Sequence, residues 1–456
     1  MSQKTSRIEG GQRLTGRRVL KIWFPLVISW AIRSIEMPII TMVIARLANP
    51  EVNLAAYGGV SYPVAVVIEA PIVMLLAAST ALSRDWDSYQ KLKKISLIIG
   101  GVCMFVHVLV AATPLFDFVA GVLLAVPPNV IEPARWGLLF MAPWSLAIGY
   151  RRFEQGAMIR FNHPHMVNET SIVRIIIVGL VLFIGYSLET IPATVIAGAA
   201  QGFAVSVEAL YAGWRARKFQ HEIKQAPQAE TPLTLKGFST FYIPLLLTAT
   251  LSLIWQPMVS GAVSRLPSPL ESLAVWSIFG GLLFLFRSPG LAYNEVVVAL
   301  LEKQDGYRVL KKFSLWSSIA STFVVSLLVF TPISKIWFGD ISRLPETLVP
   351  IAITAIAMSV PITVFAIYIS FYQGIVVYTG KTQPIAESFV IYLLSMGAVL
   401  ILGIILQSFV GIYVAVIAVT LAHLAQAIWL GYRTRPHQRN LLHREQEVGN
   451  LDLTLQ

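Results

Sequence analysis

Glu36 follows Arg33 by three residues in WAIRSIEMPII, an otherwise apolar stretch. Residues three apart share one face of a helix, so an acid and a base would project together from a segment that should exclude charge. Glu69 stands inside VIEAPIVML, with a proline two residues later. Arg151, Arg152, Glu154 and Gln155 cluster in YRRFEQG, and Gln373 sits in FYQG. Arg174 lies in IVRIII, Arg287 in FLFRSPGL and Glu295 in LAYNEVV. A charged side chain in hydrocarbon costs about 2.5–3.5 kcal/mol on insertion scales, and it normally faces a cavity or a partner. Three chemistries are open to such groups. A carboxylate can exchange a proton or hold a coupling cation, and an arginine can pair with an anionic ligand.

The elements that must carry these residues are apolar blocks. The chain has 456 residues, 56% hydrophobic and only 13% charged, where a water-soluble chain carries about a quarter charged. Blocks of the length that lets a helix cross about 30 Å of hydrocarbon recur along it, near 22–46, 54–82, 95–113, 134–158, 167–187, 191–213, 239–264, 271–299, 313–334, 347–376, 384–406 and 409–432. The expected fold is therefore an all-α polytopic membrane protein of about twelve spans. The block after the basic N-terminus is too long for a signal-peptide core and is read as a retained first span. The single cysteine, Cys103, excludes an intramolecular disulfide.

The net charge of +11 has a location. Arg7, Arg13, Arg17, Arg18 and Lys21 precede the first span. Arg84, Lys91, Lys93 and Lys94 follow the second, Arg215, Arg217 and Lys218 the sixth, and Lys303, Arg308, Lys311 and Lys312 the eighth. Arg433 and Arg435 follow the last. The opposite loops are poorer in base and include Glu51, Asp117, Glu132, Glu189 and Asp340. By the positive-inside rule both termini are cytoplasmic, in an inner or plasma membrane. The basic residues report topology and imply no nucleic-acid partner.

The chain is also a duplication. Arg287 lies 218 positions after Glu69, and Pro289 the same distance after Pro71. DSYQKLKKISL at 87–97 matches DGYRVLKKFSL at 305–315 with seven identities in eleven. FEQG matches FYQG, Pro143 matches Pro361, Glu169 matches Glu387, and GWRAR at 213–217 matches GYRTR at 431–435. Near the start of each half the offset is 219, pairing Pro25 with Pro244, Pro38 with Pro257, Arg46 with Arg265 and Pro50 with Pro269. Six spans per half keep both halves in one orientation, related by a pseudo-twofold axis along the membrane normal. The expected organisation is a basic N-terminus over 1–21, a lobe over 22–215, a polar linker over 216–238, a second lobe over 239–435 and a mobile cytoplasmic tail over 436–456.

The first lobe carries most of the intramembrane charge, Glu208 included, while Ser252 and Trp255 replace Arg33 and Glu36 in the second. Such asymmetry fits a first lobe that binds a coupling ion or charged substrate and a second that supplies an apolar wall. Plainer readings stand beside this. Arg33 and Glu36 could form a structural ion pair. Glu69 and Arg287 could pair across the axis or each within its own lobe. Arg151, Arg152 and Glu295 could reach the membrane surface along their stems. His163 and His165 have no third ligand nearby, so no metal site is expected, and His107 and His423 read as hydrogen-bonded packing residues. Prolines inside the spans favour kinks.

Two six-span repeats without the D-R-x-G-R-[RK] loop after the second span separate this chain from the major facilitator pattern. WFPLVIS, NLAAYGGVSYP at 53–63 and the YQG of the tenth span resemble the multidrug/oligosaccharidyl-lipid/polysaccharide (MOP) superfamily. PLLLTATLSLIWQPMVSGAVSRL at 244–266, followed by ESLAVW, resembles the progressive ankylosis protein branch of it. That resemblance implies a V-shaped two-lobe exporter. Multidrug members use a first-span acid for proton or sodium coupling, for which Glu36 is the candidate here, although it is a glutamate with Arg33 beside it. The ankylosis branch implies export of anions such as pyrophosphate, nucleotide and citrate. The expectation is a secondary active exporter of an organic anion or amphipathic small molecule, acting as a monomer in the bilayer. No cofactor is expected beyond a coupling H+ or Na+. A lipid-linked oligosaccharide flippase would need a more cationic cavity. A receptor or scaffold would have all its intramembrane charges paired and no cavity. No nucleophile–base or metal constellation marks an enzyme, and no phosphate loop marks a primary pump.

Overall fold

The computed structural model describes residues 13–188, 190–380 and 383–454, and the side chains of Arg33 and of 448–454 lie outside the described set. Arg7 and Glu189, named above for their charge, fall outside it as well. Every regular element among the described residues is a helix, the form that satisfies each backbone polar group within its own segment in lipid. Among the described residues, eleven helical spans are long and apolar enough to cross a membrane. The remaining expected span, 134–158, is present as Pro128–Met141 and Pro143–Arg160. The break at Ala142 divides it, and Arg151, Arg152, Glu154 and Arg160 make its second helix less apolar than the other spans. The chain is a multi-pass membrane protein.

The prolines divide the spans unequally. A proline removes one helical hydrogen bond and crowds the carbonyl four residues back. The first span accordingly breaks at Ile35, three residues before Pro38, into Gly16–Ser34 and Glu36–Ile44. The seventh breaks at the matching Ile254, before Pro257, into Leu235–Leu253 and Trp255–Val263. In the first lobe the second span is broken further. It runs Pro50–Ala56, a π-helical turn Tyr57–Ser61, then Tyr62–Ile68, Ala70–Val73 and Leu75–Leu82. The fourth breaks at Ala142. Their counterparts Pro269–Leu300 and Val349–Tyr378 run through Pro289 and Pro361 unbroken.

The repeat is written in the backbone too. Left-handed residues recur at Asn49 and Ser268, Ala125 and Arg343, and Asn162 and Gly380. Thr15 and Thr234 both cap their helices, each accepting the N–H three residues on. The ion pair Glu169–Arg215, 2.7 Å, recurs as Glu387–Arg433, 2.8 Å.

The last helix differs from expectation. It runs Gly411–Thr454, so the helix continues well past Arg435. Leu441 and Glu445, one turn apart on one face, dock onto the loop after the eighth span, where Glu445 accepts the Tyr307 N–H at 2.6 Å. The Leu14 N–H donates to Gln304 of the same loop. Both ends of the described chain thus meet on one face of the bundle, called here the terminal face.

The lobes close on the far face. A Cβ on Gly58 would stand 2.8 Å from Ser277 Cα, and one on Gly281 2.8 Å from Pro38 Cδ. Only glycine allows helices to approach this closely, and close approach drives helix packing in lipid. Arg46 donates to Ile341 O at 2.6 Å across the lobes, and Arg265 donates to Val122 O at 3.0 Å and Leu123 O at 3.1 Å. Each arginine also binds the carbonyl four residues back on its own helix, Met42 and Gly261.

Candidate functional site: a charged chain in one lobe and a lone arginine in the other

The break at Ile35 places Glu36 at the start of a new helix turned into the first lobe, where it is buried. Its partner is Arg174 of the fifth span, at 3.0 Å. Arg174 Nε also stands 3.7 Å from Glu208 of the sixth span, and Arg151 of the fourth approaches the same carboxylate to 2.5 Å. Glu208 is fully buried between the two arginines. Gln155 completes the chain, donating to Thr170 at 2.9 Å and to Glu208 at 3.3 Å. Glu36, Arg174, Glu208 and Arg151 therefore alternate in sign through the lobe, the arrangement that lets charges persist in a low dielectric. Arg152 makes no hydrogen bond or ion pair among the described residues, and its Nε is buried. Glu154 turns away and accepts from Tyr89 at 2.9 Å.

Glu69 lies at a helix break two residues before Pro71. One oxygen is in hydrogen-bond contact with Ser145 Oγ and the other has no partner. Ser145 Oγ is 3.1 Å from His107 Nδ1, and His107 Nε2 is 2.8 Å from Leu138 O. A carbonyl oxygen can only accept, so Nε2 carries a hydrogen. A neutral His107 must then accept from the Ser145 hydroxyl at Nδ1. The hydroxyl has one hydrogen, so Glu69 itself has to donate to Ser145. If Ser145 donates to Glu69 instead, His107 is an imidazolium. With both contacts made as hydrogen bonds, the chain Glu69–Ser145–His107 holds one proton more than an ionised carboxylate and a neutral imidazole would.

Arg287, in the register of Glu69, has no such company. It lines a cavity of about 70 Å³ with Leu251, Ser252, Trp255, Tyr392, His423 and Gln426. It makes no hydrogen bond or ion pair among the described residues, and its Nε is buried. Glu69 and Arg287 do not pair with each other.

Of the other candidates, Glu295 is exposed and accepts from Trp30 at 3.2 Å. Gln373 is half-buried, without a side-chain hydrogen bond among the described residues. Arg151 does not reach for the surface, because Glu208 compensates it inside the lobe. The Arg33 side chain, and with it the expected Arg33–Glu36 pair, lies outside the described residues; among those described, Arg174 is the cation that pairs with Glu36. His423 is hydrogen-bonded through Nδ1 to Val419 O at 2.7 Å, whereas His107 belongs to the Glu69–Ser145 chain. His163 faces Glu222 at 3.0 Å. Two site residues escaped the sequence reading. Glu208 was noticed as an intramembrane acid but not as the hub of the chain, since its partners are 57 and 34 positions away in sequence. Ser145 carries no sequence signal beyond being polar in an apolar block.

No family model and no curated protein sequence matches the chain. Solved structures do. The inward-facing conformation of a multidrug resistance MATE transporter of the MOP superfamily superposes with TM-score 0.71 at 13% identity, over 93% of this chain and 99% of that one. The fold is that of the MOP-superfamily transporters. A MOP transporter from Pyrococcus furiosus, described as having a binding pocket of reversed polarity, shares it with TM-score 0.64 at 13% identity, over 95% and 99% of the two chains. The lipid II flippase MurJ in an inward closed conformation shares it with TM-score 0.59 at 13% identity, over 93% of each chain. The MOP fold thus carries the two-lobe duplication read from the sequence.

Proposed function

We propose that the chain is a proton-coupled secondary transporter that exports an organic anion by alternating access. The observation that carries this reading is one register position with two chemistries. In the first lobe it is Glu69, in a chain that holds an exchangeable proton; in the second it is Arg287, a cation without a counter-charge. A carrier needs both, a group that takes up the driving ion and a group that attracts the cargo. The far-face clasps of Arg46 and Arg265 support a state closed on that side. The basic residues of the terminal-face loops support a cytoplasmic terminal face.

Glu69 supports proton coupling better than Glu36. Arg174 compensates Glu36 within the lobe, so its charge needs no proton. Glu69 faces Ser145, with Arg151, Arg152 and Cys103 in electrostatic reach. Loss of its proton would leave a carboxylate that the unpaired Arg152 can compensate, and the two states could alternate as the lobes rock. The resemblance to the ankylosis branch points the same way on substrate class. The flippase reading draws support from the likeness to MurJ, but it asks for a more cationic cavity than one whose arginines 151 and 174 are already neutralised. A non-transporting scaffold asks for every charge to be paired, which Arg152 and Arg287 are not.

The test is uptake of labelled hippurate, an aromatic monocarboxylate, into proteoliposomes under an imposed pH gradient, with internal pH followed by a trapped dye. Gradient-driven uptake with coupled proton movement is expected for the wild type. Glu69→Gln should lose the gradient dependence and Glu36→Gln should keep it. Loss in Glu36→Gln alone would move the coupling site to the first span. A sodium gradient that drives uptake where a pH gradient does not would overturn proton coupling.

A further inference from the structure

The repeat offset shows what became of four of the first lobe's buried charges in the second lobe. Glu36 is replaced by Trp255, Glu69 by Arg287, Arg174 by Tyr392 and Glu208 by Gln426. Trp255, Arg287, Tyr392 and Gln426 all line the cavity of about 70 Å³. The cavity is therefore the second lobe's counterpart of the first lobe's charged site, at the same depth in the fold. All three carboxylates of that site have been exchanged for groups that cannot be anionic. Of the remaining second-lobe acids near the spans, Glu295 is exposed against Trp30 and Glu387 is held by Arg433.

We infer that this cavity is an anion subsite that takes the carboxylate of an amphipathic monocarboxylate, with Arg287 as the counter-charge. A buried cation without a partner is costly, and an anion that enters restores the pairing the first lobe supplies from its own chain. The surroundings select the class. One guanidinium offers a planar two-pronged donor that matches a carboxylate, and a single positive charge neutralises one carboxylate but not a phosphate dianion. Tyr392 can add a hydroxyl donor. Leu251, Trp255 and Phe389 give the apolar part of the ligand a surface to lie on. His423 donates from Nδ1 to Val419 O, so its other nitrogen is left as an acceptor. Gln426 is oriented by Ser388, to which its amide donates at 3.2 Å. The inference rests on the transporter reading for its purpose but not for its chemistry, since an anion can bind without being carried.

The experiment is equilibrium binding to the full chain in lipid nanodiscs, by calorimetry and without any gradient, using benzoate, its neutral isostere benzamide, and inorganic phosphate. Benzoate should bind saturably and at least tenfold more tightly than benzamide, with phosphate weaker still. Arg287→Gln should lose that preference, Arg287→Lys should keep part of it, and Tyr392→Phe should weaken benzoate several-fold. Lys335→Gln, an exposed charge outside the cavity lining, should leave benzoate binding unchanged, and each variant is first shown to be monodisperse with a normal melting transition. Equal binding of benzoate and benzamide, or benzoate binding that survives Arg287→Gln intact, overturns the site. Phosphate binding more tightly than benzoate overturns the carboxylate assignment. If benzoate binds through Arg287 while no anion crosses the membrane, the site stands and the transport reading fails. If anions are carried while Arg287→Gln changes nothing, the reverse holds.

Discussion

The two lobes share a backbone plan down to their left-handed residues and helix caps, yet they solve the problem of buried charge in opposite ways. Arg152 apart, the first lobe satisfies charge internally. Glu208 sits between Arg151 and Arg174, and Glu36 closes the other end. The second lobe has dropped every acid from the matching positions and kept one cation against a cavity. The helices follow suit. Proline breaks at Glu69 and Ala142 bend the first lobe's second and fourth spans, while Pro289 and Pro361 sit in helices that stay continuous. The lesson is that duplication preserves the geometry of a site more readily than its electrostatics. Copies that are equivalent in shape can then take the two halves of one coupled task.

The sharpest way to break this comparison is to remove the hub of the first lobe. Glu208→Gln leaves two buried arginines facing a neutral amide, and breaking a buried pair from one side costs about 3–5 kcal/mol. A large drop in melting temperature of the purified protein is expected. A near-neutral effect would show that the chain is not what holds the lobe's charges. The converse substitution restores to the second lobe what it lacks. Gln426→Glu places a carboxylate beside Arg287 at the register of Glu208. It should raise the melting temperature slightly and weaken benzoate binding by tenfold or more, about 1.4 kcal/mol. An unchanged affinity would mean that Arg287 is not the group the anion meets.

The smallest effect lies at the lobes' third and ninth spans. Asp85 caps Trp86–Ala112 with a reciprocal bond to Ser88, and its other oxygen accepts the Ala229 N–H at 2.9 Å, tying the 226–234 stretch to the first lobe. The matching Gly306–Phe330 has no side-chain cap. Burial would raise the Asp85 carboxyl, but the N–H donors of Ala229 and Ser88 outweigh it and hold it below the usual carboxylate range. A group whose folded value is lowered stabilises above its unfolded value, about 3.9, and that contribution fades as pH falls through the folded value. Asp85→Ala should therefore cost about 1 kcal/mol near neutrality, and less in acid. Melting curves across pH check this, and a difference that grows in acid would contradict it.

Much of this was legible in the sequence because it depends on composition and register. The spans follow from apolar length, the duplication from a constant offset, and the Ile35 and Ile254 breaks from matched prolines. Partners across the fold were not legible. Arg174 lies 138 positions from Glu36 in sequence and reaches it only because the first and fifth spans pack together. Arg46 and Arg265 were visible as matched arginines in loops otherwise poor in base, which is the signal that could have marked them as more than topology. The docked last helix was hidden by its overall polarity. Its apolar face is narrow and is recognised only against the loop it covers.

The far-face clasp carries one more consequence. Arg46 of the first lobe grips the turn ending at Ile341, and Arg265 of the second grips Leu123, its counterpart in the repeat. Residue i of one copy touches j of the other, and j touches i. That is the isologous pattern of a two-fold homodimer. A six-span polypeptide that paired with itself would make the same contact twice, so the seam between the lobes has the form of a subunit interface within one chain.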